Sequence, residues 1–295
     1  MILNASGCLD ALTAPDVARA LDAYVTKTVT PLPRGGHEPV RIAETDVGML
    51  NAIGLANPGI RRFRADVLPR LAELGVPVWV SVGGFRSADY ADLCGQLDAE
   101  QLVETIELNV SCPNVAAPDE AAHEIVSAAR SATAKPLFAK LSPTLPDIAG
   151  VARAAAEAGA DGLSLVNTLK GMALDPRTLE PRLAAGAGGL SGPALRPVAL
   201  AAVHACYAAT RLPIVGMGGV ESGRHALDLV ATGASAVALG TVLFADPFAP
   251  ARVRAELEAA AAEHGFSSAL AARGCAHGEA LQGPSGAVVM LGNEA

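Results

Sequence analysis

The amino-acid sequence predicts an α/β protein, a closed barrel of eight βα units in one domain, and three observations lead there. Eight short β-branched or Leu-rich runs alternate with Ala- and Leu-rich amphipathic stretches along 295 residues. The short runs read as continuously apolar, as strands do in a parallel sheet covered by helices. Nearly every run ends in a glycine or a polar cluster, and in a TIM barrel those ends all meet at one mouth. A doubly wound open sheet is the rival arrangement.

Strands are expected at Ile2–Ala5, Tyr24–Thr28, Val76–Val82, Thr105–Val110, Pro136–Leu141, Gly162–Val166, Leu212–Gly216 and Ala236–Gly240. Helices are expected at Pro15–Ala23, Arg61–Leu74 (with a kink at Pro69), Ala88–Leu97, Asp119–Ala132, Pro146–Ala158, Ala194–Ala209, Ser222–Ala231 and Pro250–His264. Asp147 reads as a first-turn acid and Gly159 as the stop of that helix; Ser222 reads as an N-cap and Gly233 as a stop. Two connections, 29–60 and 168–193, are long for a compact domain and therefore read as functional loops at the mouth. The single domain spans 1–295, with a core over about 2–264 and a loosely packed Gly- and Ala-rich tail over about 265–295.

Composition narrows the function. The 22 Lys+Arg against 30 Asp+Glu give a formal charge of −8, the wrong sign for nucleic acid or an anionic membrane surface as main partner. No run of apolar residues is long enough to span a bilayer, and the N-terminus lacks a signal-peptide pattern. Five cysteines, Cys8, Cys94, Cys112, Cys206 and Cys275, stand far apart with no C-x-x-C pair. That spacing argues against a disulfide framework, a structural metal or an iron–sulfur cluster in this chain, and for a cytoplasmic protein.

The mouth residues carry the chemistry. Gly218, Gly219, Gly240 and Thr241 follow the last two strands, where backbone N–H groups can cradle a phosphate; Gly188–Gly192 adds a further candidate cradle. Tight βα turns alone are the alternative reading of each cluster, and they account less well for all of them together. Lys27 and Lys140 end apolar strands and need anionic or polar partners, either a flavin edge or substrate carboxylate, or a structural ion pair. Asn51, Asn109, Asn114 and Asn167 offer the paired donors and acceptors that suit a cyclic amide, though amides also cap turns. Cys112 sits just past a strand end between Ser111 and Pro113, a setting for a base or nucleophile; the other four cysteines read as small buried hydrophobes.

In these blocks the chain resembles the class 1 dihydroorotate dehydrogenases, most closely the catalytic subunit of the NAD-linked subclass, 1B. The resemblance rests on GMLNAIGLANPG (48–59), ELNVSCPN (107–114), AKLSPTLPDI (139–148), VNTLKGMALDPRTLEPRL (166–183), GGLSGPALRPVAL (188–200), GMGGV (216–220) and GASAVALGT (233–241), and covers roughly 2–270. It implies an FMN-containing TIM barrel that oxidises dihydroorotate to orotate in pyrimidine biosynthesis. It implies Cys112 as the base at substrate C5. Lys27, Asn51, Ile53, Gly54, Leu55, Asn109, Asn114, Asn167 and Thr168 are its implied substrate contacts. Its implied FMN contacts are Ser6, Lys27, Thr28, Ser81, Asn109, Lys140, Val166, Gly192, Gly218, Gly219, Gly240 and Thr241. It further implies a homodimer, or a heterotetramer with a partner subunit carrying FAD and a [2Fe–2S] cluster, and no metal in this chain.

Three departures from the family pattern leave room for a different cyclic dihydropyrimidine or amide substrate, or for a flavin-binding paralogue without turnover. The chain starts almost at its first strand, without the hairpin that closes the family's barrel floor. The link after Asn114 is short, only about Val115–Pro118. Gly35-Gly36-His37-Glu38-Pro39 replaces the family's Gly-Asn-Pro segment.

Overall fold

The structure, a computed structural model, describes residues 1–110 and 118–278. In chain order its strands are β1 (Ile2–Asn4), β2 (Tyr24–Val25), β3 (Ile42–Thr45), β4 (Gly48–Asn51), β5 (Val78–Val82), β6 (Val103–Asn109), β7 (Leu137–Leu141), β8 (Gly162–Leu165), β9 (Leu169–Gly171), β10 (Gly188–Ser191), β11 (Ile214–Met217) and β12 (Ala236–Leu239). Eight of them form one parallel sheet in the order β1-β12-β11-β8-β7-β6-β5-β2, and these are the eight strands expected from sequence.

The sheet closes between β1 and β2. A parallel bridge joins Leu3 to Ala23. Beyond it the Asn4 side chain takes over from the backbone ladder: its Nδ2 donates to Val25 O and its Oδ1 accepts from Val25 N, both at 2.8 Å. Asn4 is fully buried, so one side-chain amide satisfies two backbone groups that water cannot reach. Inside the barrel Leu3, Val25, Trp79, Phe138, Val215, Met217, Ala236 and Ala238 form an apolar plug, with the Trp79 and Phe138 rings 4.8 Å apart. Opposite the mouth, Trp79, Phe138, Leu212 and Met1 face a floor cavity of about 700 Å³.

The surrounding helices are α1 (Pro15–Arg19), α2 (Gly59–Arg62), α3 (Leu68–Leu71), α4 (Ser87–Asp98), α5 (Pro118–Ala132), α6 (Ile148–Glu157), α7 (Arg196–Thr210), α8 (Gly223–Ala231) and α9 (Ala249–Glu263). Pro69 does more than kink its helix. Lacking an N–H, it cannot continue an α-helical ladder, and the five residues Phe63–Val67 before α3 widen to a π turn, Leu68 N–H donating to Phe63 O. Ser222 caps α8 by accepting from His225 N. Asp147 is the N-cap of α6, accepting from Gly150 N, and not a first-turn residue as expected; the helix starts at Ile148. No helix among the described residues is long and apolar enough to cross a membrane.

The two long connections are not irregular loops. The first carries β3 and β4 and the second β9 and β10, and together they build an antiparallel sheet ordered β3-β4-β10-β9. Met49, Leu50 and Asn51 pair with Ser191, Leu190 and Gly189. Leu50, Ala43, Ala52 and Leu183 form a small separate core under this sheet. The first part of the tail is also better packed than expected: Ala269 and Ala272 are buried, and the Arg273 guanidinium donates to Gly233 O and Leu212 O. The tail beyond Gly278 lies outside the described residues.

Asn4→Ala removes both partners of Val25 at the seam. It is expected to cost about 2–4 kcal/mol of unfolding free energy, measured by urea denaturation, because two buried backbone groups lose their bonds.

Candidate active site

The mouth of the barrel holds a cavity of about 400 Å³, within the range of small-molecule sites. Its floor comes from the strand ends and its roof from the antiparallel sheet, which contributes Ile42, Met49, Asn51 and Ser191. Of the predicted site residues, Ser6, Lys27, Thr28, Asn51, Ile53, Gly54, Leu55, Asn109, Lys140, Val166, Asn167, Thr168, Gly192, Gly218, Gly219, Gly240 and Thr241 all line it. Ser81 does not: it is fully buried below the mouth, where its hydroxyl meets that of Thr28 at 3.1 Å. Cys112 and Asn114 lie outside the described residues.

One wall is charged. Lys140, buried on β7, places Nζ 3.2 Å from Ser6 Oγ and 3.6 Å from Glu107 Oε1. Lys27, half-buried after β2, is driven below the usual lysine range by burial and then by the Lys140 ammonium. The next wall is amide-rich. Asn167 Nδ2 donates to Asn109 Oδ1 at 3.3 Å, and Asn167 Oδ1 accepts from Thr168 N at 2.8 Å, so the two strand-end amides hold one another in place. Tyr90 on α4 fixes the same corner from behind by donating to Asn109 O at 2.8 Å. From the roof, Asn51 Nδ2 donates to Gly189 O at 3.3 Å, tying the β4 and β10 edges together over the cavity.

The third wall is backbone. Gly218 and Gly219 turn with φ of 128° and 71°, and a Cβ on Gly219 would stand 2.8 Å from Gly192 O and 2.9 Å from Arg196 Cβ. No side chain fits there, so the loop after β11 presents bare backbone to the cavity beside Gly192 and the start of α7. Thr241 Oγ1 donates to Ser191 Oγ at 3.0 Å and links this wall to the roof. Such a concave set of amides suits an anion such as a phosphate.

Sequence reasoning missed two things. Cys8, read as a small buried hydrophobe, lines the cavity instead. Burial pushes its thiol above the ordinary range, against the lowering pull of Lys140 and Lys27. Its position directly after the Ser6-Gly7 strand end was the available signal. Glu107 was the other omission: it is charged within an otherwise apolar run, and that break in pattern marks an inward-facing partner for a lysine.

With this geometry in place, comparison with known proteins is specific. A family model described as dihydroorotate dehydrogenase matches residues 1–260. The chain belongs to the dihydroorotate dehydrogenase family. Relatives named "Dihydroorotate dehydrogenase B (NAD(+)), catalytic subunit" include one from Desulforudis audaxviator, 46% identical over 264 residues that cover 87% of this chain and 86% of the relative. Another, from Listeria innocua, is 44% identical over 255 residues, 84% of each chain. The likeness to the NAD-linked subclass read from the sequence blocks is thereby met. Among solved structures, the dihydroorotate dehydrogenase of Eimeria tenella in complex with ferulenol superposes with a TM-score of 0.77 at 23% identity. It covers 94% of this chain and 85% of that one, and it supports the barrel fold alone. The dehydrogenase family is thus identified by sequence, and the TIM barrel by its strand order and this neighbour.

Burial also sets thiol reactivity. Cys94 and Cys206 are pushed up to about 12, and Cys8 rises from the same cause. Only the thiolate is alkylated, and it forms as pH rises through the raised pKa. In native protein at pH 8, peptides carrying these three residues are therefore expected to label with iodoacetamide at least ~10-fold more slowly than after unfolding in guanidinium. Mass spectrometry of the digested protein reads both rates.

Proposed function

We propose that this chain binds FMN in the mouth cavity and oxidises (S)-dihydroorotate to orotate. The observation that carries the reading is the three-walled cavity itself: a lysine wall, an amide wall and a bare-backbone wall, on a chain of the dihydroorotate dehydrogenase family. The residues fit the cofactor. Gly192, Gly218, Gly219, Gly240 and Thr241 would hold the phosphate and ribityl end, and a Cβ on Gly192, Gly218 or Gly219 has no room there. Lys140, Lys27, Ser6, Thr28, Val166 and Asn109 would hold the ring system, and Ser81 supports it indirectly by fixing Thr28. When bound, FMN supplies the acceptor for the hydride that leaves substrate C6.

The chain's own work is to bind, orient and deprotonate. Asn51, Asn109, Asn114, Asn167 and Thr168 match the donors and acceptors of a cyclic imide, and Lys27 offers a cation to its carboxylate. The Asn109–Asn167 bond presets the two amides, so less order has to be imposed when substrate arrives. Ile53–Leu55, which follow β4 and line the cavity, would shield the ring from water. Cys112 is assigned as the base that takes the C5 proton. As the proton leaves C5 and the hydride leaves C6, the C5–C6 bond becomes the double bond of orotate.

The partner follows the same logic. The NAD-linked relatives are named as catalytic subunits, and the chain carries no dinucleotide fingerprint. We therefore place it in the cytoplasm as a homodimer core that passes electrons to a second subunit bearing FAD and a [2Fe–2S] cluster. The short Val115–Pro118 link after Asn114 favours one alternative, a related cyclic dihydropyrimidine as substrate, because it leaves little chain to cover the ring.

An anaerobic absorbance scan of FMN-reconstituted protein tests the reading. Addition of L-dihydroorotate is expected to bleach the flavin band while orotate forms. Cys112→Ala is expected to keep the bound flavin and to lose bleaching by a factor of at least ~10², the usual contribution of a positioned base. A yellow wild type that dihydroorotate leaves yellow but another cyclic dihydropyrimidine bleaches would select the alternative substrate.

A further inference from the structure

Glu107 on β6 and Lys140 on β7 face one another inside the barrel, with side chains only 2% and 5% exposed. Their separation, 3.6 Å from Nζ to Oε1, is longer than a hydrogen bond, and Oε1 has no hydrogen-bond partner. The link is therefore charge to charge. It leaves the ammonium's N–H donors for Ser6 Oγ and for whatever occupies the cavity that Lys140 lines. Glu107 itself stays out of that lining, two register positions below: it pairs with Phe138 of the apolar plug, whereas Lys140 pairs with Asn109 at the mouth.

A buried ion pair gives little net stability compared with apolar side chains of the same volume, so stability alone is a poor reason for this one. The neighbourhood supplies a better reason. The Lys140 ammonium acts on Lys27 across the cavity, and among the described residues the Cys8 thiol is the other titratable group that acts on Lys27 there. Without a carboxylate, two ammonium groups would face each other in a half-buried space.

We propose that Glu107 is a positioning residue for the cofactor edge: its carboxylate fixes the Lys140 ammonium at the mouth and offsets one of the two ammonium charges of the lysine wall. It acts through Lys140 and touches neither cofactor nor substrate. The proposal rests on the reading of the cavity as an FMN site.

The test is a double-mutant cycle on the full chain with Glu107→Gln, Lys140→Met and both together. FMN affinity is measured by quenching of flavin fluorescence, and the thermal midpoint is recorded without flavin. In the wild-type background Glu107→Gln is expected to weaken FMN binding at least ~10-fold; in the Lys140→Met background it is expected to change it less than ~2-fold, the non-additivity of residues that work as a unit. Equal losses in both backgrounds, or none in the first, overturn the proposal. The midpoints give a reading that needs no flavin. Glu107→Gln alone is expected to melt below the double variant, since it strands one buried charge; a double variant that melts lower than either single one overturns the pairing. If the wild type itself binds no FMN, the cofactor reading fails, and the midpoint cycle still decides whether Glu107 holds Lys140.

Discussion

A parallel barrel exists only if its last seam is joined, and here one backbone bridge, Leu3 to Ala23, is completed toward the mouth by a single side-chain amide. Strand β2 is two residues long, too short to complete a backbone ladder with β1. The Asn4 amide supplies the missing donor and acceptor. Everything at the mouth follows from that closure. Ser6, Gly7 and Cys8 continue β1, Lys27 and Thr28 continue β2, and the seam sets their distance. Were it open, Lys140 on the far side of the barrel would have no Ser6 hydroxyl to meet.

The interior is layered by cost. Apolar side chains fill the lower half, where Trp79 and Phe138 touch and Gly162 is bare because the Phe138 ring occupies the space of its Cβ. Polar side chains gather in the upper half, next to the cavity, with Thr105 opposite Trp79 and Glu107 opposite Phe138 set lower among the apolar ones. Thr28 with Ser81, Asn109 with Asn167 and Thr241 with Ser191 are each closed pairs. Burying such groups is affordable because each desolvated donor finds an acceptor. Of the buried charges, Lys140 stands at the mouth where a ligand can answer it, and Glu107 below it answers Lys140.

Much of this was legible in the sequence, for reasons that can be stated residue by residue. A parallel strand buried on both faces reads as an apolar run, so all eight barrel strands stand out, and strand-end residues such as Lys140 and Asn167 are marked by the change to polarity. The π turn before Pro69 was half legible: proline announces a break but not which way the helix adjusts. The roof was not legible at all. Its strands pair Met49–Asn51 with Gly189–Ser191, segments more than a hundred residues apart, and β10 is mostly glycine, serine and leucine without alternation. Pairing between such segments is a property of the closed barrel that brings them together. Cys8 was misread for a related reason, since one-dimensional context cannot say that the first strand ends beside the lysines of β2 and β7.

The roof also changes how the halves of the chain relate. One side of it, β3 and β4, belongs to the second βα unit; the other, β9 and β10, belongs to the sixth. A barrel built from repeated units can in principle be cut and rejoined between them, because each unit mostly touches its neighbours. Here the canopy stitches distant units across the axis through three residue pairs and the Asn51 amide. Shuffling half-barrels among relatives would therefore fail at the canopy before it failed in the barrel wall. A loop graft at this mouth has to exchange both arms of the canopy together.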